Sequence, residues 1–203
     1  RQAIIQRIEL CPEPVRTEVA SRVDRYFLRA LGSPGVSSLG QGRNARLMRS
    51  WVELSPESGL NWLRSAIKQA SHEQLIELRG QDALFGGPGP RREIVWAVSH
   101  LASFDEHYES CEDILFQLAL SENESVTNNA SGEWCQKQRL VLSNSETPYP
   151  RRIDVLLARM DAPDAASAPL LLSGFVQAVT IPYSEISPPA VIGGRLVPRE
   201  WRP

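Results

Sequence analysis

Apolar residues recur along this chain at steps of three and four, the spacing that puts one oily stripe on an α-helix. Across 13–31 the stripe is Val19, Val23, Tyr26, Phe27 and Ala30. Gly32-Ser33-Pro34-Gly35 stops it, and residues 36–42 read as a loop. A helix over 43–54 carries Leu47, Met48 and Trp51. Ser55-Pro56 reads as an N-cap with proline at the first helical position, opening a helix to about residue 70 with Leu60, Leu63 and Ile67 inward. Ser71 and Gln74 have the spacing of a capping box and start a short helix through Leu78.

The run Gly86-Gly87-Pro88-Gly89-Pro90 then breaks the chain. Beyond it, Ile94, Val95, Val98, Leu101 and Ala102 form the next stripe. Asp105 is placed to cap a helix striped by Tyr108, Cys111, Leu115 and Leu118. A polar loop over 123–128 leads into a helix over about 129–142 containing Trp134. Thr147-Pro148 repeats the cap-plus-proline signal before Ile153, Leu156, Leu157 and Met160, and Pro163 ends that helix. A last helix holds Leu172, Phe175, Val176 and Val179.

From residue 180 onward Pro182, Pro188, Pro189 and Pro198 disfavour regular structure, apart from a short extended piece over 190–197. The expected fold is therefore all-α. Short helices joined by short turns predict antiparallel pairs stacked as an irregular HEAT- or TPR-like α-solenoid over 1–179. Residues 180–203 form an irregular proline-rich extension. The spacing between helix starts is uneven, so no strict repeat period is assigned.

Composition agrees with a folded domain: 203 residues, 42% hydrophobic and 23% charged. No apolar run is long enough to span a bilayer, and no secretory leader is visible. Cys11, Cys111 and Cys135 are odd in number and contain no CxxC pair, which favours a reducing, cytoplasmic setting over a disulfide framework. The chain starts at Arg1 without Met and stops at Trp201-Arg202-Pro203 without a closing helix, as expected of a segment of a longer protein.

Charge sharpens the picture. Residues 1–52 carry nine Arg against four acids, whereas residues 90–147 carry ten acids against four basic residues. The polarity suits solvated helix faces or complementary packing against neighbouring domains. A net charge of −2 argues against a nucleic-acid partner.

Candidate chemistry is sparse. His107 and Cys111 are four apart, but a zinc site would also need Cys135 and His100 to converge. No low-pKa thiolate with an orienting base is indicated, and Glu122, Glu124 and Glu133 are ordinary acids of an acidic stretch. No metal, cofactor or catalytic residue is assigned. The candidate interaction surface comprises Arg43, Arg46 and Arg49, a basic ridge at steps of three, and Glu122, Asn123, Asn128 and Asn129. The polar stretch reads equally as turn and capping chemistry.

The stretch Arg91-Arg92-Glu93-Ile94-Val95-Trp96-Ala97-Val98-Ser99-His100-Leu101-Ala102 resembles the "R-x-x-[LV]-[LV]-W-A-L-x-x-L-A" helix of large bacterial multidomain proteins. Leu115 through Glu124, Asn128-Asn129-Ala130-Ser131-Gly132, Thr147-Pro148 with Arg151-Arg152-Ile153, and Gly193 through Pro203 match further motifs of that group in order, covering roughly residues 75–203. Where the group has A-L-E, this chain reads Ala97-Val98-Ser99, and where it has L-F it reads Arg139-Leu140. Such proteins join an effector, often a STAND-type ATPase core, to a long helical half, and several resemble anti-phage defence systems.

The resemblance implies a non-catalytic helical module that senses a protein ligand or other domains of its parent and regulates the effector. No phosphate-binding GxxxxGK[ST] motif occurs in the chain. A purely structural spacer and a small helical enzyme are the competing classes. The spacer predicts no pocket, and the enzyme predicts a deep pocket with converging titratable groups.

Overall fold

A computed structural model describes residues 11–40, 43–79, 89–126, 128–161, 163–181, 191–192 and 195–202. Helix α1 (Glu13–Leu31) carries Pro14 in its first turn, where a missing N–H costs nothing. It ends at Gly32, whose φ of 72° suits glycine and whose N–H returns to the Leu28 carbonyl. Of the expected stripe, Phe27 is sealed and Val23 is partly covered, while Tyr26 and Ala30 face solvent. Leu31 is buried in their place, because only the C-terminal part of α1 reaches the core.

The expected loop over 36–42 contains a one-turn helix, α2 (Val36–Leu39), with residues 41–42 outside the described set. Val36 and Leu39 lie one turn apart and are both buried, which outweighs the glycine- and serine-rich composition that suggested a loop. Helix α3 (Asn44–Leu54) follows, then α4 (Pro56–Gln69). Ser55 stands at the N-cap of α4, but its side chain makes no cap; its carbonyl accepts the Gly59 N–H at 2.9 Å.

Gly59 itself is where the two helices meet. A Cβ there would lie 2.9 Å from both Cα and N of Val52. Gly59→Val should therefore force the backbones apart and cost about 1–3 kcal/mol or more. A thermal melt that moved by less than about 2 °C would show that α3 and α4 can separate without penalty.

Helix α5 (His72–Glu77) has the expected capping box: Ser71 Oγ accepts from Gln74 N and Gln74 Oε1 accepts from Ser71 N. The break at 86–88 lies outside the described residues. Helices α6 (Pro90–Leu101) and α7 (Tyr108–Leu120) bury their predicted stripes completely. Asp105 does not cap α7. It sits in a 3₁₀ turn (Asp105–His107), and its carboxylate takes Arg151 at 2.8 Å.

Helix α8 (Ala130–Lys137) stops short of residue 142, and Leu142 and Asn144 adopt left-handed backbone. Beyond it, Ser145 Oγ donates to the Ala102 carbonyl and Glu146 N to the Ser103 carbonyl, which ties this segment to the end of α6. Helix α9 (Tyr149–Met160) has Pro148, not Thr147, at its N-cap. Leu156 is buried but Leu157 is exposed, so that stripe is narrower than expected. Helix α10 (Ala168–Val179) is the last among the described residues. Strands β1 (Val191–Ile192) and β2 (Arg195–Leu196) pair antiparallel where a short extended piece was anticipated, with Gly193 and Gly194 outside the described set.

The chain is thus predominantly helical. Helix α3 packs on α6 and α4 on α7; α6 and α7 both meet α8; α8 and α9 meet α10. Aromatic contacts run through the core: Phe27 stacks on Trp51 at 5.7 Å between ring centres, Trp51 meets Trp62, and Phe116 meets Trp134. Among the described residues no helix is long and apolar enough to cross a membrane.

Candidate functional site

The basic ridge of α3 is divided by the fold. Arg49 bridges Glu53 at 3.1 Å and Glu93 of α6 at 2.9 Å, and is half-buried. Arg46 reaches Glu93 at 3.6 Å from an exposed position. Arg43 is exposed at the start of α3. Arg49 therefore joins two helices, and Arg43 and Arg46 form the outward part of the ridge.

The polar stretch between α7 and α8 is largely taken up in local bonding. Glu122 accepts the N–H groups of Asn123, Glu124 and Ser131. Asn129 caps α8 by accepting Gly132 N at 2.8 Å and donates to the Glu124 carbonyl at 2.7 Å. Asn123 donates to the Ile76 carbonyl at 3.1 Å, which links the stretch to α5. Asn128 is exposed.

Two buried arginines, invisible as such in the sequence, organise the helix ends. Arg91 donates to the carbonyls of Leu75 and Leu118, in the last turns of α5 and α7, and lies 3.7 Å from Glu122. Arg152 donates to the carbonyls of Thr147, Lys137 and Arg139, closing the C-terminal end of α8. A guanidinium suits this task, because its fork of donors meets several helix-end carbonyls at once and its charge opposes the helix dipole. Burial pushes both guanidinium groups below their ordinary range, more than nearby anions can offset.

A third cluster crosses α4, α7, α8 and α9. Glu112 is buried and accepts Trp134 Nε1 at 2.7 Å and both Nε and Nη2 of Arg159. Arg159 also reaches Asp113 at 3.1 Å, and Asp113 takes Arg64 of α4 at 2.8 Å.

Sulfur and imidazole chemistry is muted. Cys111 and Cys135 are free thiols, and among the described residues no group of three metal-ligand side chains converges. Burial raises the Cys111 thiol and pushes Cys135 up to about 11, which suppresses thiolate formation. His107 pairs with Glu106 at 3.0 Å, and burial lowers its pKa.

Burial, with Arg49 and Lys137 nearby, pushes His100 down to about 4. In the unfolded chain this ring takes a proton near 6.5. Between those values the unfolded state holds the extra proton, so folding stability falls as pH drops from about 6.5 toward 4. The urea midpoint should fall between pH 7 and pH 5, and the fall should shrink in His100→Gln. An undiminished fall in the variant would assign the acid sensitivity to other groups.

The solvent-facing chemistry lies elsewhere. On α1, Arg22, Arg25 and Arg29 surround Tyr26 along an open cleft, with Glu18 pairing Arg22 at 2.7 Å. On α10, the residues read from the sequence as a helical stripe face outward: Leu172 is 61% exposed, Phe175 39%, Val176 47% and Val179 65%. The opposite side of α10 is the buried one, through Leu171, Gly174 and Ala178. Comparison with known proteins yields no match to a family model, a curated protein or a solved structure.

Proposed function

We propose that this chain is a helical-repeat module that works by contact and not by catalysis, regulating a larger, STAND-like bacterial protein of the defence type. Its partners are other domains of that parent or a protein ligand. The contact order supports an irregular HEAT- or TPR-like solenoid: α3 meets α6 and α4 meets α7, as successive inner and outer helices of stacked pairs would. The reading rests on the outward stripe of α10. Four apolar side chains at positions i, i+3, i+4 and i+7 lie bare on a helix whose other side is already packed, an arrangement that fits a further helix laid against it.

Leu172→Asp with Val176→Asp tests it. Both positions are exposed, so the double variant should fold with nearly unchanged stability. Wild-type chain should capture the remainder of its parent open reading frame, expressed separately, and the double variant should lose at least tenfold in affinity. Capture unaffected by the substitutions would remove the stripe from the contact. Absence of capture by either form would favour a passive spacer.

A further inference from the structure

The segment between α8 and α9 has an uncommon backbone. Leu142 has φ 63° and Asn144 φ 54°, the only non-glycine residues at positive φ among those described. Left-handed backbone costs a leucine roughly 1–2 kcal/mol, so something must hold it there. What meets this turn is the chain's own C-terminal tail. Glu200 accepts the N–H groups of Ser143 and Asn144 and the Ser143 hydroxyl through a single carboxylate oxygen, the last two at 3.3 and 3.1 Å. Successive main-chain N–H groups converging on one oxygen make an anion-binding concavity.

The residue after Glu200 is also bound. Trp201 N donates to the Ser145 carbonyl at 3.0 Å, and the indole stacks on Tyr149 of α9, with ring centres 6.5 Å apart and planes 20° from parallel. The site beneath is positive. Lys137 is buried, and its Nζ donates to the Asn144 carbonyl at 3.4 Å. Arg152 is buried beside it, with bonds that go to carbonyls, and its Nη2 makes no hydrogen bond among the described residues. Burial pushes Lys137 down to about 8, opposed through space by Glu133 and Glu200 among others, and Glu200 also favours the charged form of Arg152.

We infer that residues 142–145 and Tyr149 form a peptide-recognition site for an acidic residue followed by an aromatic one, and that Glu200-Trp201 occupies it in cis. The turn supplies two N–H donors for the carboxylate, Ser145 supplies a main-chain acceptor, and Tyr149 supplies the platform for the ring. A carboxylate is preferred to a neutral amide because three donors converge on one of its oxygens, and bonds to an ionised acceptor are about twice as strong as those to a neutral one. An occupant tethered to the same chain holds the site at high effective concentration, so a free peptide competes poorly until the tail is weakened.

The experiment uses the full chain and a fluorescein-labelled hexapeptide of residues 197–202, read by anisotropy. Wild type should bind it weakly because the tail fills the site. The full-length double variant Glu200→Gln with Trp201→Ala should bind it at least tenfold more tightly, and a peptide with Gln in place of its Glu should lose that gain. A double variant that keeps wild-type circular dichroism but binds no better than wild type overturns the inference, as does equal binding of the Glu and Gln peptides. Should the double variant fail to fold, Trp201→Ala alone serves, with the same two peptides and the same criteria. This outcome is independent of the α10 stripe, which lies outside the contacts the peptide makes.

Discussion

Arg91→Met is expected to be among the most damaging single substitutions in this chain. The guanidinium is fully buried and holds the last turns of α5 and α7 together through the Leu75 and Leu118 carbonyls. Methionine keeps much of the volume but donates nothing. The Leu75 carbonyl loses its Arg91 donor, at about 1–3 kcal/mol, the Leu118 carbonyl keeps only Ser121 N and Oγ, and Glu122 loses the cation 3.7 Å away. Together these amount to about 3–5 kcal/mol, or a melting temperature lower by roughly 6–20 °C for a chain of this size. Arg92→Met is the control. Arg92 is partly exposed and pairs with the buried Glu124 through a single 3.8 Å contact, so its loss should cost less than that of Arg91. Equal effects from the two neighbours would mean that the buried arginine is not what joins these helix ends.

Glu112→Leu should produce the second large loss. Glu112 is 1% exposed and accepts from both Trp134 and Arg159. Leucine leaves the indole N–H without an acceptor and leaves Arg159 with Asp113 alone, 3.1 Å away. The expected cost is about 3–5 kcal/mol by urea titration. Arg159→Met should also be costly, because it leaves the buried Glu112 carboxylate without its cation and removes the guanidinium that lies over the Phe116 ring at 4.2 Å. The double variant should be less unstable than the sum of the singles by about 0.5–3 kcal/mol. Strict additivity would show that the two side chains do not act as one unit.

Both predictions concern residues that sequence reading passed over. Arg91 and Arg152 sat inside quoted motifs, yet nothing in their local spacing separates them from Arg92 and Arg151, which are surface-facing or partly so. Only the return of α5 and α7 to Arg91, and of the end of α8 to Arg152, makes these two interior. The basic ridge shows the reverse: Arg43, Arg46 and Arg49 follow a legible periodicity, but Arg49 is committed to Glu93, distant in sequence and on another helix. Likewise Gly174, set among the apolar residues of the last described helix, is where a Cβ would come within 2.5 Å of the Trp134 ring. The close approach of α10 to α8 is invisible in a single stretch of chain.

By itself the sequence determined the helical class, most helix positions, the capping box at Ser71, the inward stripes of α6 and α7, and the lack of a bilayer-length span. These follow from local rules: a period near 3.6, proline and glycine punctuation, and side chains meeting backbone three residues away. The tertiary structure alone decided which arginines are buried, why α8 stops at Lys137 and Leu142 turns left-handed, that the apolar stripe of α10 faces outward, and that Glu200 and Trp201 fold back onto 143–149. The physical reason is that charge pairing and burial depend on distance in space. A guanidinium, a carboxylate or an oily side chain has no fixed role until residues tens of positions away arrive beside it or fail to.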